Sequence, residues 1–298
     1  SDTIISGAVD IDVSSSGTVN LVGNIVTTGD ANSGGVGSAG GVVTIDTSNG
    51  VVAVAAITTS GGGGNGSSSG GAAGAITLNT TEDLITLNGN LTAAGGSSGS
   101  GSVGAGANIT LSDLVTLGAN IAITTGSLAG NILFSQAVNG TQTLALTSGT
   151  GNITFAGVVG ASAALGAVTV NLAANVTTAA FSSAGFNQAV TGTGTTQIGG
   201  LLTSTAAVTL AAVTIDLDAG ITTTTGAAAG LVNLDASTLV DLASGQTITT
   251  TATAGGGSDT IISGAVDIDV SSSGTVNLVG NIVTTGDANS GGVGSAGG

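Results

Sequence analysis

The chain has 298 residues and carries 16 carboxylates with no lysine, arginine or histidine, so its formal charge is −16. Nucleic acid needs Lys or Arg to displace counterions from phosphate, and an anionic membrane surface needs the same cations, so neither is expected as a partner. Cysteine is absent as well, so stability comes without disulfides, and carboxylates are the only groups left for acid–base or nucleophilic work. We therefore expect no enzyme.

Glycine is abundant, at 55 residues, but 41% of the chain is hydrophobic and Val, Ile and Leu recur at every second position. That is the period of a β-strand. Glycine and β-branched residues weigh against helix. No apolar run approaches the roughly 20 residues of a membrane helix. The lack of Lys and Arg removes trypsin-type cleavage sites, and the lack of Met, Cys, Trp and Tyr removes easily oxidised groups. Both suit a long-lived extracellular material, although compositional drift in a repeat would give the same result.

In chain order, the first 41 residues, Ser1–Gly41, return without a substitution as Ser258–Gly298, an offset of 258 − 1 = 257. Residues 1–257 read as one full repeat, and residues 258–298 as the first part of the next, continuous with the first. The chain reads as a window on a longer polymer. A shorter repeat lies inside the long one. Strand-like phrases start at Ala8 (AVDID), Val42 (VVTID), Ala75 (AITLN), Asn108 (NITLS), Asn131 (NILFS) and Asn152 (NITFA), spaced by 34, 33, 33, 23 and 21 residues. Leu231 (LVNLD) then precedes Ala265 (AVDID again) by 34 residues.

Each start opens a unit of three short strands. TVNLVG and NIVTTG follow the first, LVTLGA and NIAITTG follow Asn108, and AVTVNLA and NVTTA follow Asn152. The stretch Phe181–Ala206 has no clear phase. Units this small cannot bury a core alone, but stacked they can. The fold class expected is all-β, a parallel β-solenoid (β-helix) with about nine three-strand coils per 257-residue repeat. Alternation points Val9, Ile11, Val43, Ile45, Ile76, Leu78, Ile109, Leu111, Ile132, Phe134, Ile153 and Phe155 inward. Phe134 and Phe155 should then be neighbours.

Four units are lengthened by Gly/Ser-rich segments, GDANSGGVGSAGG, SGGGGNGSSSGGAAG, AGGSSGSGSVGAGA and TATAGGGSDTIISG. Each is read as following a third strand, on one corner. They are either flexible surface insertions or a lateral contact surface where bare backbone lets neighbouring fibres approach. Threonine pairs (Thr27-Thr28, Thr58-Thr59, Thr124-Thr125, Thr177-Thr178, Thr222 to Thr225, Thr249 to Thr251) are assigned to the third strands, half of each pair facing in or sitting at a corner.

The candidate ligand-bearing residues are aspartates. Asp10 and Asp12 alternate with apolar neighbours and should face out. The column through Asp12 continues to Asp46, Asn79 and Ser112, and its copy Asp269 is preceded by Asp235. Carboxylates about 4.8 Å apart disfavour simultaneous ionisation. Asp12, Asp46, Asp235 and Asp269 form either a solvated acidic ladder or an oxygen-only metal site, for which Ca²⁺ is the natural ion. No cofactor is otherwise required. Asp216, Asp218 and Asp241 form a second, weaker cluster. The calcium-binding nonapeptide G-G-x-G-x-D is only begun by Gly34-Gly35-Val36-Gly37-Ser38, because Ala39 stands where its aspartate belongs.

The run NILFSQAVNGTQTLALTSGTGNITFAGVVGASAALGAVTVNLAANVT from Asn131, with its NITF and TLALTSGTGNITF phrases, resembles the β-strand repeats of filamentous-haemagglutinin-like giant surface proteins. The resemblance covers about half of the chain. It implies a right-handed parallel β-helix in a bacterial, secreted, adhesive or matrix-forming protein at the cell surface. The function expected is a structural extracellular fibre or matrix protein whose partner is itself, end to end and laterally through the Gly-rich loops. The alternative is the shaft of a giant secreted adhesin whose binding module lies at its tip.

Overall fold

The structure, a computed structural model, describes residues 7–14, 17–32, 34–81, 83–188, 192–225, 230–252, 264–271 and 273–285. Among them there is no helix; every regular element is a strand, and every strand pairing is parallel. The chain winds as a β-solenoid with three faces.

On the first face Val9–Val13 lies in register with Val43–Thr47. The stack continues through Ile76–Asn79, Ile109–Leu111, Ile132–Phe134 and Ile153–Phe155. It runs on through Val176–Thr178, Thr195–Ile198 and the later halves of Val208–Leu217 and Val232–Leu242, and ends at Thr275–Leu278. The second face begins with Val19–Leu21, Val52–Val54, Leu84–Leu87, Leu114–Leu117 and Val138–Asn139. A single bridge at Val159 carries it to the start of Phe181–Gln188, and then to Leu202–Ser204, Ile221–Thr225, Thr247–Ala252 and Asn281–Thr285. The third face starts at Ile25–Val26, Ile57–Thr58 and Leu91–Thr92 and reaches Val266–Val270.

Strict alternation explains why these short segments hold this shape. Val43 and Ile45, Val52 and Val54, and Ile57 all point into one coil and are fully buried. Their in-register partners Ile76, Leu78, Ile85, Leu87 and Leu91 do the same one coil away. Each such side chain contributes roughly 1.5–3 kcal/mol over its exposed state. All twelve inward positions expected from the sequence face the core; Val9 and Ile11, in the first coil, are half-buried against it. Phe134 and Phe155 stack with ring centroids 4.7 Å apart, close to the spacing between coils. Phe181 lies edge-on to Phe155 at 5.3 Å, and Phe186 edge-on to Phe181 at 5.2 Å, so the four phenylalanines form one aromatic segment of the core.

The assignment of strands to faces differs from the sequence expectation after Asn152. Val159 takes the second face alone, the AVTVNL segment lies on the third face, and Val176–Thr178 opens the next coil on the first face, in register with Ile153–Phe155. One isolated bridge carries no alternation, so the sequence hides that coil's second strand. Phe181–Gln188 resolves the unphased stretch by bending across a corner, serving the second face with Phe181–Ser183 and the third with Phe186–Gln188. Val208–Leu217 and Val232–Leu242 likewise serve the third and then the first face.

The shift has a consequence for the repeat. Val9–Val13 occupies the first face, whereas its copy Val266–Val270 pairs with Val232–Ala236 on the third. Val19–Leu21 is on the second face, and its copy within Thr275–Leu278 is on the first. Ile25–Val26 is on the third, and its copy within Asn281–Thr285 is on the second. The second copy stacks on the wall built by Val232–Leu242 and Thr247–Ala252, yet each of its described strands sits one face back from its counterpart in the first copy.

Candidate functional site

Two features stand out from the regular wall, the stacked glycine-rich loops and the aspartate rungs. The loops at 29–41, 60–74 and 94–107 leave the third face and return to the first, in three consecutive coils. Each is an outgoing and a returning arm. Arms of one kind hydrogen-bond along the solenoid axis: Gly29 N–H donates to Ser60 O and Gly61 N–H to Ala94 O, while Gly37 N–H donates to Ser69 O and Gly70 N–H to Ser102 O, all at 2.9–3.0 Å. Residues three further on repeat the pattern, with Asn32 donating to Gly63, Gly64 to Ser97, Gly40 to Ala72 and Ala73 to Ala105. A period of three is that of the polyproline II helix, whose backbone makes no internal hydrogen bonds and so has every group free for a neighbour.

The two arm layers are also tied to each other. Gly104 N–H donates to Gly96 O, Gly96 to Gly71, Gly71 to Gly62, Gly62 to Ser38 and Ser38 to Asp30, at 2.8–3.0 Å. This zigzag runs along the solenoid axis through both layers. Only glycine lets the arms come this close. A Cβ added at Gly62, Gly71, Gly96 or Gly104 would overlap a carbonyl oxygen of the adjoining arm or coil, as it would at Gly29, Gly37, Gly40, Gly61 and Gly70. The expectation of flexible insertions is therefore corrected: the loops form an ordered two-layer fin, and their bare backbone serves packing within the chain. At the tip of the middle loop Ser68 N–H closes a turn on Asn65 O, and Gly66 supplies its φ of +59°.

Most outward positions of the arms carry small side chains, with Val36 and Val103 as exposed exceptions. Ala31, Gly63 and Ser97 line one flank, and Ala39, Ala72 and Ala105 the other. Asp30 is the only carboxylate in the three loops. Ala31, Asn32, Gly63, Gly64, Asn65 and Ser97 bound a shallow open depression of about 360 Å³ on the first flank.

Buried hydroxyls anchor the base of the loops. Thr27 Oγ1 donates to Gly41 O at 2.6 Å, Thr59 to Gly74 O at 2.5 Å, and Thr125 to Gly130 O at 2.9 Å. Thr250 Oγ1 closes on Gly264 O at 2.6 Å across the same sequence distance as Thr27 and Gly41, but it does so from the second face. The fourth Gly-rich segment therefore leaves from a different corner in this chain, and residues 253–263 lie outside those described. The threonine rows also divide between faces: Thr27 and Thr59 follow third-face strands, Thr177-Thr178 is on the first face, and Thr222 to Thr224 pair with Thr249 to Thr251 on the second. Among the described residues the threonines form no single ladder. Thr178 Oγ1 is buried and has no hydrogen-bond partner.

The structure brings the expected aspartates together in pairs. Asp12 is in register with Asp46, and Asp235 with Asp269. Asp46 continues to Asn79, whose Nδ2 donates to Asp46 Oδ1 at 2.9 Å, so a carboxamide ends this rung. Because the repeat changes face, the first pair lies on the first face and the second on the third. Among the described residues no group of three or more carboxylates is arranged to hold a metal ion.

In the other cluster Asp216 is in register with Gln197 on one side and Asp241 on the other. Gln197 Nε2 donates to Asp218 Oδ2 at 2.7 Å, and Asn277 Nδ2 to Asp241 Oδ1 at 2.6 Å. Burial, then the charges of Asp218 and Asp241, hold the Asp216 carboxyl above its ordinary range.

Sequence reasoning missed the asparagine brackets at the corners. Asn108 Oδ1 accepts from Asn131 N–H, Asn131 from Asn152 N–H, and Asn175 from Thr195 N–H, at 2.7–2.9 Å. The recurring Asn that opens NITLS, NILFS and NITFA was the available signal. No protein-family model, curated protein or solved structure matches this chain.

Proposed function

We propose that this protein is a structural fibre element of the cell surface or extracellular matrix, in which tandem 257-residue repeats join as one continuous β-solenoid and glycine fins mediate lateral association between fibres. The observation that carries this reading is the in-register stacking of Val266–Val270, the copy of Val9–Val13, on Val232–Ala236. The first strand of a new repeat lies in register on the wall of the old one. Continuous stacking also keeps strand edges paired, where an isolated solenoid end would present an open edge to other chains.

Several features support a mechanical role. The chain offers no His, Lys, Arg or Cys for chemistry. Some of its polar side chains brace the coils, as asparagine brackets between coils and hydroxyl clips beneath loops. The fin carries a single carboxylate, Asp30, so like-charge repulsion between two such acidic fibres is low there, as it is along residues 114–215, which carry none. The small residues Ala31, Gly63, Ser97, Ala39, Ala72 and Ala105 on the fin's flanks let a second copy approach closely.

Electron microscopy of the native material tests the reading. The expected result is long, unbranched filaments of uniform width, with side-by-side bundles that loosen when Ala31, Ala72 and Ala105 are replaced by aspartate. Isolated particles the size of one chain would refute the fibre. Filaments that carry a distinct knob at one end would instead favour an adhesin shaft.

A further inference from the structure

We infer that successive repeats of the fibre are rotated by one face of the three-sided coil, so that the glycine fin moves to a new corner in each repeat and returns to its first corner only after three. The inference rests on the tandem continuity proposed above and adds the rotational phase. It follows from counting strands between equivalent residues. Val9 is on the first face of the first coil, and its equivalent Val266, 257 residues on (266 − 9 = 257), is on the third face of the tenth. The first face is crossed at Val9, Val43, Ile76, Ile109, Ile132, Ile153, Val176, Thr196, Ile215 and Val240 before Val266 is reached. One period is thus nine full coils plus two strands, which is 29 strands, and 29 is not a multiple of three.

The same step appears at every equivalent position described. Val19 and Val276 differ by one face, as do Ile25 and Ile282. The loop clips agree: Thr27 holds Gly41 at the corner between third and first faces, and Thr250 holds Gly264 at the corner between second and third. In a continuing array the three following loops repeat the sequence of 29–41, 60–74 and 94–107. They stack above the loop clipped by Thr250, one corner back from their originals. At about 4.8 Å per coil, one repeat advances the fibre by roughly 46 Å and three by roughly 140 Å.

The consequence is a fibre with fins on all three corners. A whole number of coils per repeat would put every fin on one edge and favour flat ribbons. A remainder of two strands distributes them around the axis, so each fibre meets neighbours in three directions. The paired rungs Asp12–Asp46 and Asp235–Asp269 turn with the fins, which spreads the acidic strips as well.

The test is cryo-electron microscopy of this chain extended by two further copies. The expected result is three fins at successive corners, related by a rise of about 46 Å and a rotation near 120° beyond the slow twist of the wall. Fins in one line along a continuous rod would overturn the rotation and leave the fibre standing; separate beads would overturn both. Disulfide mapping in the 298-residue chain, which has no cysteine of its own, gives an independent reading. Thr154→Cys with Thr177→Cys should link readily, because those residues are in-register neighbours on the first face. Ala145→Cys with Thr177→Cys should not, because Ala145 pairs with Thr169 on the third face. The reverse pattern would place Thr177 on the third face and contradict the strand count.

Discussion

Asp216 shows how a single carboxyl fares in a wall without cations. Burial and the neighbouring Asp218 and Asp241 raise its pKa in the folded chain, so the folded state binds a proton more tightly than the unfolded state. This group's effect on stability is most favourable below its ordinary pKa and is lost as pH rises through the raised folded value. Asp216→Asn should therefore raise the melting temperature at neutral pH and flatten the pH dependence between those two values. An unchanged slope in thermal melts across the acid range would contradict the assignment. The rungs Asp12–Asp46 and Asp235–Asp269 supply two carboxylates each, whereas Ca²⁺ takes six to eight oxygens. Melting of this chain should accordingly be the same with and without a chelator, and a chelator-sensitive transition would reveal a bound ion.

Strands and loops in this protein are stabilised by different means. A strand is held by inward side chains, so Ile109→Ala, at a fully buried site with partners on both sides, should cost about 2–5 kcal/mol in denaturant unfolding. A fin is held by backbone alone. Gly71→Val should leave global unfolding close to the parent, because the Ile76 and Ile109 layers are untouched. It should abolish hydrogen-exchange protection at Gly62, Gly71, Gly96 and Gly104, because the zigzag is broken at its middle. Equal loss of protection throughout the strands would mean that fin and wall unfold as one unit. Much at this scale is readable in the letters. Period-two alternation identifies the columns from Val9 to Ile153, and the phrase NITF places Phe155 on Phe134. The rest fails for definite reasons. Val159 is a one-residue rung with no period to detect, and Phe181–Gln188 turns its corner through Ser183-Ala184-Gly185 while staying one continuous strand, so its small and polar letters read as a loop rather than as a strand shared by two faces. The fin's order also escapes composition, because the three-residue hydrogen-bond rhythm of glycine arms leaves no apolar pattern and the same letters describe a flexible linker.

On the scale of the whole molecule, three parallel stacks enclose one largely apolar interior, and the verbatim repeat is threaded through them out of step with the coil. The repeat was legible as a number of residues, whereas its phase depended on counting every strand, including the hidden one at Val159. The aspartate pairs show both sides of this. Register placed Asp12 beside Asp46 and Asp235 beside Asp269, as the letters suggest, but the missed step concealed that the two pairs face different directions. Strands running across the axis of a continuous rod fix the most direct test, which is X-ray diffraction from an oriented fibre of the protein. The account requires a strong reflection near 4.8 Å on the meridian, from the spacing of coils along the axis. The same spacing on the equator, or its absence, would contradict a fibre built by stacking these coils.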